Sequence, residues 1–210
     1  VELPDSITSI GGSKHDFGIF SSCISLEYVK LPGKLTALSY ECFTDTPKLK
    51  SLTLPDTLTV LGDRALDGTS IESIKIPEGV TEIGDYAFQR TPIETLKIPK
   101  NVTKIGNYAF KESAIKRIEL EEGCKLTELG NRLFEGCNNL ESFVIPPSTT
   151  IGADPFMGCK NLKSVTFEKN SNLKRLSGRP IGSEITEFTI QNTIEEISLG
   201  AFSGLAKLRK

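Results

Sequence analysis

Residues 71–114 read IESIKIPEGVTEIGDYAFQRTP and then IETLKIPKNVTKIGNYAFKESA, which are two copies of one 22-residue unit. The copies agree at twelve positions, and most other positions exchange residues of similar size or reverse a charge, as Glu78 and Lys100 do. The apolar positions therefore stay apolar in both copies, while the charges at surface positions differ. This pattern is typical of a stacked repeat, in which each unit is too small to bury a core alone and is stable only against its neighbours.

The same unit recurs along the whole chain at spacings of 22 to 28 residues. Most units contain an apolar residue that is followed directly by proline. This residue, or its equivalent in units without the proline, is Leu3, Leu31, Leu54, Ile76, Ile98, Leu120, Ile145, Phe167 and Ile190. We therefore expect about nine units that form one elongated domain over residues 1–210. The chain begins and ends inside a repeat, whereas solenoids close their terminal faces with polar caps. The expectation is a segment of a longer protein.

Each unit predicts two short strands and one turn. In the unit at 49–54, Leu52 and Leu54 alternate with Ser51 and Thr53, as in a strand with one buried face. The proline that follows has no N–H and ends the strand. A second extended piece comes next, then a glycine and one turn of 3₁₀- or α-helix. Stacked units predict a parallel sheet along one side. The inward aromatic side chains should form a spine of Phe43, Phe88, Phe110, Phe134, Phe156 and Phe202.

The charge balance argues against several classes of partner. The chain carries 25 Lys and Arg side chains and 27 Asp and Glu side chains. It therefore lacks the basic surface that a nucleic-acid backbone or an anionic membrane requires. No apolar run is long enough to span a bilayer, and Val1 does not begin a signal peptide. We expect no nucleic-acid partner and no transmembrane segment in this stretch.

Four of the five cysteines fall on core positions of the repeat. Cys23, Cys137 and Cys159 come three residues after the core aromatic residue, and Cys42 takes the alanine position. A buried free thiol behaves as a small hydrophobic group, and parallel side chains on neighbouring units suit the disulfide torsion poorly. Free thiols are therefore favoured over a disulfide, and no metal site is predicted. Cys124 lies in an insertion and should be more exposed.

No group of residues in the sequence has a catalytic arrangement. His15 is the single histidine and precedes Asp16 in an insertion, where it could serve as a base, but no nucleophile motif surrounds it. Glu121 and Glu122 are adjacent, and neighbours on a strand point to opposite sides. We therefore expect no catalytic residue, no cofactor and no enzyme activity.

The outward positions of the first strand remain as the candidate binding surface. Short hydroxyl side chains dominate this surface, and three successive units carry a cation. The candidate residues are Tyr28, Lys30, Lys75, Lys97, Arg117 and Glu119. Because threonine suits any exposed strand, a solvated face without a partner is the alternative.

Several fixed features of the unit coincide. Leu-Pro or Ile-Pro stands at 31–32, 54–55, 76–77, 98–99 and 145–146, Ile-Gly at 83–84, 105–106 and 151–152, and Ala-Phe at 87–88, 109–110 and 201–202. Together they resemble the leucine-rich repeats of the BspA-like, or Treponema-type, class. Three units lack the proline, at Glu121, Glu168 and Gln191, and Ser177 and Ser198 replace the usual glycine. We expect these units to be weaker.

The resemblance implies a repeat solenoid, namely a right-handed leucine-rich-repeat superhelix that is rich in short parallel strands. It also implies a non-enzymatic binding and adhesion module, secreted or displayed on the cell surface of a host-associated microbe. The partner would be a protein, such as a host extracellular-matrix or cell-surface protein, or a glycan, and we expect the module to be a monomer. Fold alone does not establish function. A structural spacer that displays another domain, or part of a glycan- or peptide-processing enzyme, are the alternatives.

Overall fold

The computed structural model describes residues 1–10, 17–147, 149–169, 171–176, 178–179, 181–182 and 184–209. The expectations for His15, Asp16 and Ser177 lie outside these residues. Within the described residues the chain forms a solenoid of short parallel strands, as the repeat predicts.

Twelve strands lie in the described part of the chain. Those with four residues occupy the first part of the repeat, and those with two residues occupy the second extended piece. They are β1 (Ala37–Leu38), β2 (Val60–Leu61), β3 (Glu82–Ile83), β4 (Thr95–Ile98), β5 (Lys104–Ile105), β6 (Arg117–Leu120), β7 (Glu128–Leu129), β8 (Ser142–Ile145), β9 (Thr150–Ile151), β10 (Ser164–Phe167), β11 (Arg175–Leu176) and β12 (Glu196–Ile197).

The two-residue strands form the main sheet. Six of them pair in parallel in the order β1-β2-β3-β5-β7-β9, and a bridge between Ile10 and Leu38 extends the column by one turn. Within the described residues, β11 and β12 pair with each other but not with this sheet. The solenoid therefore has about seven turns, fewer than the nine units expected, because strand pairing does not join the last two repeats to the main sheet.

The core contains a column of stacked phenylalanine rings. The four rings from Phe88 to Phe156 are buried and nearly parallel, with neighbouring centroids 5.4 to 5.6 Å apart. Phe43 is also buried and stacks on another ring at 5.2 Å. Phe202 was expected in this column, but it is only partly buried and contacts Phe188. The unit between Phe202 and Phe156 carries an isoleucine at this position, which ends the ring stacking.

Buried thiols occupy three of the predicted core positions. Cys42, Cys137 and Cys159 are buried, whereas Cys124 is half-buried. Cys23 was expected in the core but is also only half-buried, since it lies in the first unit and has a partner unit on one side only. Burial raises the pKa of Cys42 and of Cys137 to about 12.

The glycine of the Ile-Gly pair is required by the close approach of neighbouring units. A Cβ atom at Gly106 would lie 2.4 Å from Asp85 Oδ1 of the preceding unit. The same Oδ1 atom accepts a hydrogen bond from Asn107 N–H at 2.7 Å. Gly106 therefore leaves room for a side chain that bonds to the next unit.

The helical turn expected after this glycine does not form in the described residues. Tyr86 and Arg90 have φ angles of 58° and 55°, and a left-handed residue interrupts a right-handed helix. Tyr86 N–H donates to Asn107 C=O at 2.9 Å, and Phe88 N–H donates to Ala109 C=O at 2.8 Å. The backbone in this segment thus bonds to the next unit, which stacks the units but prevents a helix.

The four-residue strands do not form the continuous sheet that was expected. β4 pairs with β6, and β8 pairs with β10. Residues 51–54, 73–76 and 187–190 are not strands. The apolar pattern decides which side chains point inward, but it does not decide whether neighbouring backbones pair.

The prolines explain most of the places where the pairing stops, but not the unit that carries Gln191. Glu121 N–H donates to Ile98 C=O at 3.1 Å, and Glu168 N–H donates to Ile145 C=O at 3.0 Å, and these bonds close the β4–β6 and β8–β10 ladders. The equivalent residue in the unit at 71–77 is Pro77, which has no N–H. Units without proline were expected to be weaker, but two of the three are the units whose strands pair with the preceding unit.

Candidate binding face

Three of the six candidate residues lie together on β4 and β6. Lys97 is the register partner of Glu119 on the neighbouring strand. Arg117 Nε lies 3.4 Å from the Glu119 carboxylate, and Lys97 forms an ion pair with Glu121. The hydrogen bond to Glu121 raises the pKa of Lys97 above its ordinary value. Two of the three predicted cations are therefore paired with acids of this chain, which reduces the positive charge of this part of the face.

Tyr28 and Lys30 lie apart from that cluster, in the first complete unit of the face. The Tyr28 side chain is 55% exposed, and its backbone C=O accepts a hydrogen bond from the N-terminal ammonium group at 2.9 Å. Lys30 Nζ is 3.9 Å from the Glu2 carboxylate. The unit that carries Ser51 separates these two residues from Lys75. Tyr28 is therefore the exposed aromatic residue of the face.

Lys75 differs from Lys97 and Arg117 in its surroundings. Its side chain is exposed, and no ion pair joins it to another residue in the described part of the chain. It lines a cavity of about 720 Å³ between residues 51–56 and 73–77, which we call the seam groove. Lys75 is therefore available to an acidic group that enters this cavity.

The seam groove opens between two units whose strands do not pair. Its lining includes outward hydroxyl side chains and inward apolar side chains of the segments 51–54 and 73–76. These residues are Ser51, Leu52, Thr53, Leu54, Ser73 and Ile74. Sequence reasoning placed the hydroxyl groups on the face but missed the groove, although Pro77 carries the signal because it cannot donate to Leu54 C=O.

A second groove of about 490 Å³ lies at another interruption of the pairing. It is found between β10 and residues 186–191 and is lined by Thr166, Glu187 and Thr189 among others. Both grooves lie where the first extended segments of two successive units do not pair. Interrupted pairing, and not a loop, therefore shapes the cavities of this face.

A charged cluster in the turn region was missed by sequence reasoning. Asp67 is completely buried, and its carboxylate accepts hydrogen bonds from Arg90 Nε at 2.9 Å and from Arg64 at 3.1 Å. Arg90 also donates to Asp45 at 2.9 Å. Burial raises the pKa of Asp67, and the two guanidinium groups oppose this effect. The cluster joins three successive units and is structural; no periodic signal reveals it, because Asp45 and Arg90 share one repeat position but carry opposite charges.

The described residues lack two further features. They contain no group of three or more His, Cys, Asp and Glu side chains that could hold a metal ion. They also contain no helix of the length and apolar character that crossing a membrane requires.

The fold and the face define a class of protein, a parallel β-solenoid of leucine-rich repeats. The family model described as BspA type leucine-rich repeat region, with six copies, matches residues 1–116 and 59–177. The chain therefore belongs to the BspA-type leucine-rich repeat family. Comparison with curated protein sequences finds no match.

Solved structures of bacterial leucine-rich repeat proteins have a similar fold. A leucine-rich repeat protein from Bacteroides ovatus is 26% identical with a TM-score of 0.50, and the match covers 99% of this chain and 64% of the other. A leucine-rich cell surface protein from Faecalibacterium prausnitzii is 21% identical, with a TM-score of 0.50 and coverage of 99% and 70%. The pneumococcal vaccine antigen PcpA is 20% identical, with a TM-score of 0.57 and coverage of 98% and 64%. This chain thus spans less than two thirds of the length of the Bacteroides protein.

Proposed function

We propose that this chain is a non-enzymatic binding and adhesion module of a cell-surface or secreted protein. In this proposal, the outward face of the four-residue strands and their equivalents contacts a protein or glycan partner. The observation that carries the proposal is the seam groove, which combines exposed hydroxyl groups, the unpaired Lys75 and apolar side chains. Ligand sites in proteins typically combine an apolar lining with a few polar groups. The cell-surface description of the Faecalibacterium protein supports the proposed location.

The repeat array determines how such a face would bind. Each unit offers a small set of contacts at a regular spacing of roughly 4.8 Å, so affinity comes from the sum over several units. Tyrosine and arginine carry a large share of interface energy, which gives Tyr28 and Arg117 more weight than the neighbouring serines. A partner with carboxylate or sulfate groups would compete with Glu119 and Glu121 for the cations of β4 and β6.

The test compares two triple variants with the same change of formal charge. Neutral glutamine is preferred to glutamate, because a glutamate at position 97 would repel Glu121. The face variant is Lys75→Gln, Lys97→Gln, Arg117→Gln, and the control variant outside the face is Lys104→Gln, Lys111→Gln, Arg132→Gln. Both are checked by thermal melting and then tested against host matrix proteins and glycans at two salt concentrations.

We expect the face variant to lose binding, most clearly at low salt, because screening weakens exposed charge interactions. The control variant should bind as the wild type does. If the face variant binds as well as the wild type does, the contact surface lies outside this face. A wild type that binds no member of the panel at either salt concentration would count against the proposed function itself.

A further inference from the structure

One corner of the repeat is shorter in three successive units than in the units on either side. This corner runs from the core residue that is usually phenylalanine to the next buried aliphatic residue. The aliphatic residue comes six positions after the core residue in the pairs Phe43 and Leu49, and Phe134 and Leu140. It comes only five positions later in the pairs Leu66 and Ile71, Phe88 and Ile93, and Phe110 and Ile115. All of these residues are buried, so the short corners lack a residue at the surface.

The short corners line an open recess of about 460 Å³ that crosses four units, which we call the corner recess. Ser70, Pro92 and Ala114 line it, one from each short corner, and all three are half-buried. Asn138 and Asn139 belong to the long corner that follows and line its end. The volume lies within the range of ligand pockets in proteins. Units with unequal corners therefore create a cavity that a regular array would lack.

The recess contains polar side chains that are free to contact a ligand. The Asn138 side chain is exposed, and within the described part of the chain only its backbone C=O forms a hydrogen bond. Asn139 Nδ2 donates to Ala114 C=O at 3.4 Å, which leaves its Oδ1 atom as an acceptor. The exposed Glu112 carboxylate lies 3.9 Å from Lys111 Nζ, beyond hydrogen-bonding distance. Donors and acceptors therefore lie side by side in this recess.

The charges of the recess favour a neutral ligand. Arg90 also lines the recess, but it donates to Asp67 and to Asp45, in each case at 2.9 Å. Its positive charge is therefore neutralised within the chain. Glu112 has no such close partner and would repel an anion. A ligand with hydroxyl groups can instead donate to the carboxylate and both donate to and accept from the amide side chains.

We propose that the corner recess binds a neutral glycan, namely a chain of 1,4-linked hexose rings that lies along the solenoid axis. Successive units are roughly 4.8 Å apart, and successive rings of such a chain have nearly the same spacing, so that each short corner meets one ring. The C–H faces of the rings pack on Pro92 and Ala114. The hydroxyl groups bond to Asn138, Asn139 and Glu112. This site lies outside the face of the four-residue strands and goes beyond the function proposed for that face.

Spacing and backbone bonding favour a glycan over an extended peptide. A strand rises roughly 3.2 to 3.4 Å per residue, so its residues fall out of step with the units of the solenoid. A peptide that adds to a strand also needs free backbone groups. In this corner, Ala114 N–H donates to Thr91 C=O at 2.9 Å and Ser113 N–H donates to Phe110 C=O at 3.0 Å. The recess thus offers side chains and apolar surface to a ligand, and not a strand edge.

The experiment titrates the whole chain with three neutral hexasaccharides by calorimetry. They are cellohexaose, β-1,4-mannohexaose and maltohexaose, and an oligogalacturonate of the same length serves as the acidic control. We expect at least one neutral probe to bind, with an affinity that is the same at low and high salt, because no net charge is neutralised. The oligogalacturonate should bind more weakly. Changes in NMR amide shifts should centre on Ser70, Ala114 and Asn138.

Two variants of the recess test the site. Insertion of a lysine after Pro92 gives this corner the Thr-Pro-Lys sequence that the chain already has at 46–48, so it should fold, fill the recess and abolish binding. Asn138→Ala combined with Asn139→Ala should weaken binding by roughly tenfold. The matched control is Lys160→Ala combined with Asn161→Ala, which changes the same positions of the next unit outside the recess and should bind as the wild type does. Thermal melting checks each variant, and the double alanine variant decides if the insertion does not fold.

Several results would overturn the inference. They are no binding of any neutral hexasaccharide, tighter binding of the oligogalacturonate, binding of a neutral extended peptide but of no hexasaccharide, and unchanged binding by the recess variants. The face variant with glutamine at positions 75, 97 and 117 should keep hexasaccharide binding. Loss of binding in that variant would place the glycan on the strand face, which supports the proposed function and contradicts this inference. If a hexasaccharide binds in the recess but the face variant retains all binding to the matrix panel, the recess stands and the function proposed for the strand face falls.

Discussion

In most of the described units two residues adopt the left-handed backbone conformation, and glycine fills only some of these positions. The second position of the pair has φ between 53° and 77° in the described units. It is occupied by Ser22, Asp45, Gly68, Arg90, Glu112, Gly136, Gly158 and Gly204. A side chain at such a position costs about 1–2 kcal/mol. The fold thus carries strain at the positions of this column where glycine is absent.

The strain predicts opposite effects of two substitutions. Glu112→Gly should stabilise the protein by about 0.5 to 1 kcal/mol, because relief of strain exceeds the entropy that glycine adds to the unfolded chain. Its ion pair with Lys111, at 3.9 Å, is exposed and worth little. Gly158→Ala should destabilise by about 1 kcal/mol, because Gly158 has a φ of 73°. The new Cβ would meet Gly136 N at 3.5 Å and Gly136 Cα at 3.7 Å, which are ordinary contacts. Urea unfolding measures both, and equal signs would contradict the assignment of strain.

The thiols should differ in reactivity according to burial. Cys42 and Cys137 are buried with a pKa of about 12, so almost no reactive thiolate is present near neutral pH. Cys23 and Cys124 are half-buried and should react with a thiol reagent first. Mass spectrometry of the folded protein gives the order, and unfolding without reductant should release all five thiols. A disulfide between Cys137 and Cys159 would show that the argument from parallel side chains is wrong.

At the scale of single elements, a ladder of side chains ties the units together beside the main sheet. Asn107 N–H donates to Asp85 Oδ1 at 2.7 Å, and Asn131 N–H donates to Asn107 Oδ1 at 2.8 Å. Ala153 N–H continues the ladder by donating to Asn131 Oδ1 at 2.7 Å. Each oxygen accepts a backbone N–H that would otherwise lack a partner in this turn.

The ladder predicts the cost of removing one acceptor. Asn107→Ala should destabilise by about 1–3 kcal/mol, because Asn131 N–H loses its partner. Asn107→Asp keeps the acceptor but places a second carboxylate next to Asp85, so its cost should be smaller than that of alanine and should fall as salt increases. Thermal melting of both variants at low and high salt measures this. If aspartate costs more than alanine at high salt, the acceptor is not the stabilising feature.

Some of these elements could be predicted from the sequence and others could not, for physical reasons. Ala87 and Phe88 point inward as predicted because burial follows the apolar pattern. The turn was mistaken for a helix because apolar spacing does not reveal that Tyr86 has a positive φ. The pairing of Arg117 with Glu119 was also missed, because a list of outward residues does not show which side chains neutralise each other. The seam could have been found, since Pro77 is visible in the sequence.

At the scale of the whole molecule, the six-stranded sheet joins the units from β1 to β9 by strand pairing, whereas β11 and β12 lie outside this sheet. Units between residues 80 and 110 have strand partners on both sides through β3 and β5. No strand pairing joins β9 to β11 in the described residues. In a repeat protein, stability depends on contacts between neighbouring units, so local opening should differ along the body.

Amide exchange should therefore be slower over residues 80–110 than over 149–185. Residues 73–76 have no backbone hydrogen bonds among the described residues, so their amides should exchange fast even though they adjoin the stable part. Mass spectrometry after deuterium labelling resolves the two ranges. The reverse order would mean that strand pairing does not control local stability in this solenoid.

The seam also sets how the body responds to tension along its axis. The two units around it are joined through β2 and β3 and through the turns, but not through their first strands. Fewer hydrogen bonds must therefore break at this joint than between the units that carry β4 and β6. Under tension along the axis, this joint should therefore part before the joint between the units that carry β4 and β6. A solenoid with unequal joints yields in steps under tension, and the joints with fewer hydrogen bonds open before the fully paired ones.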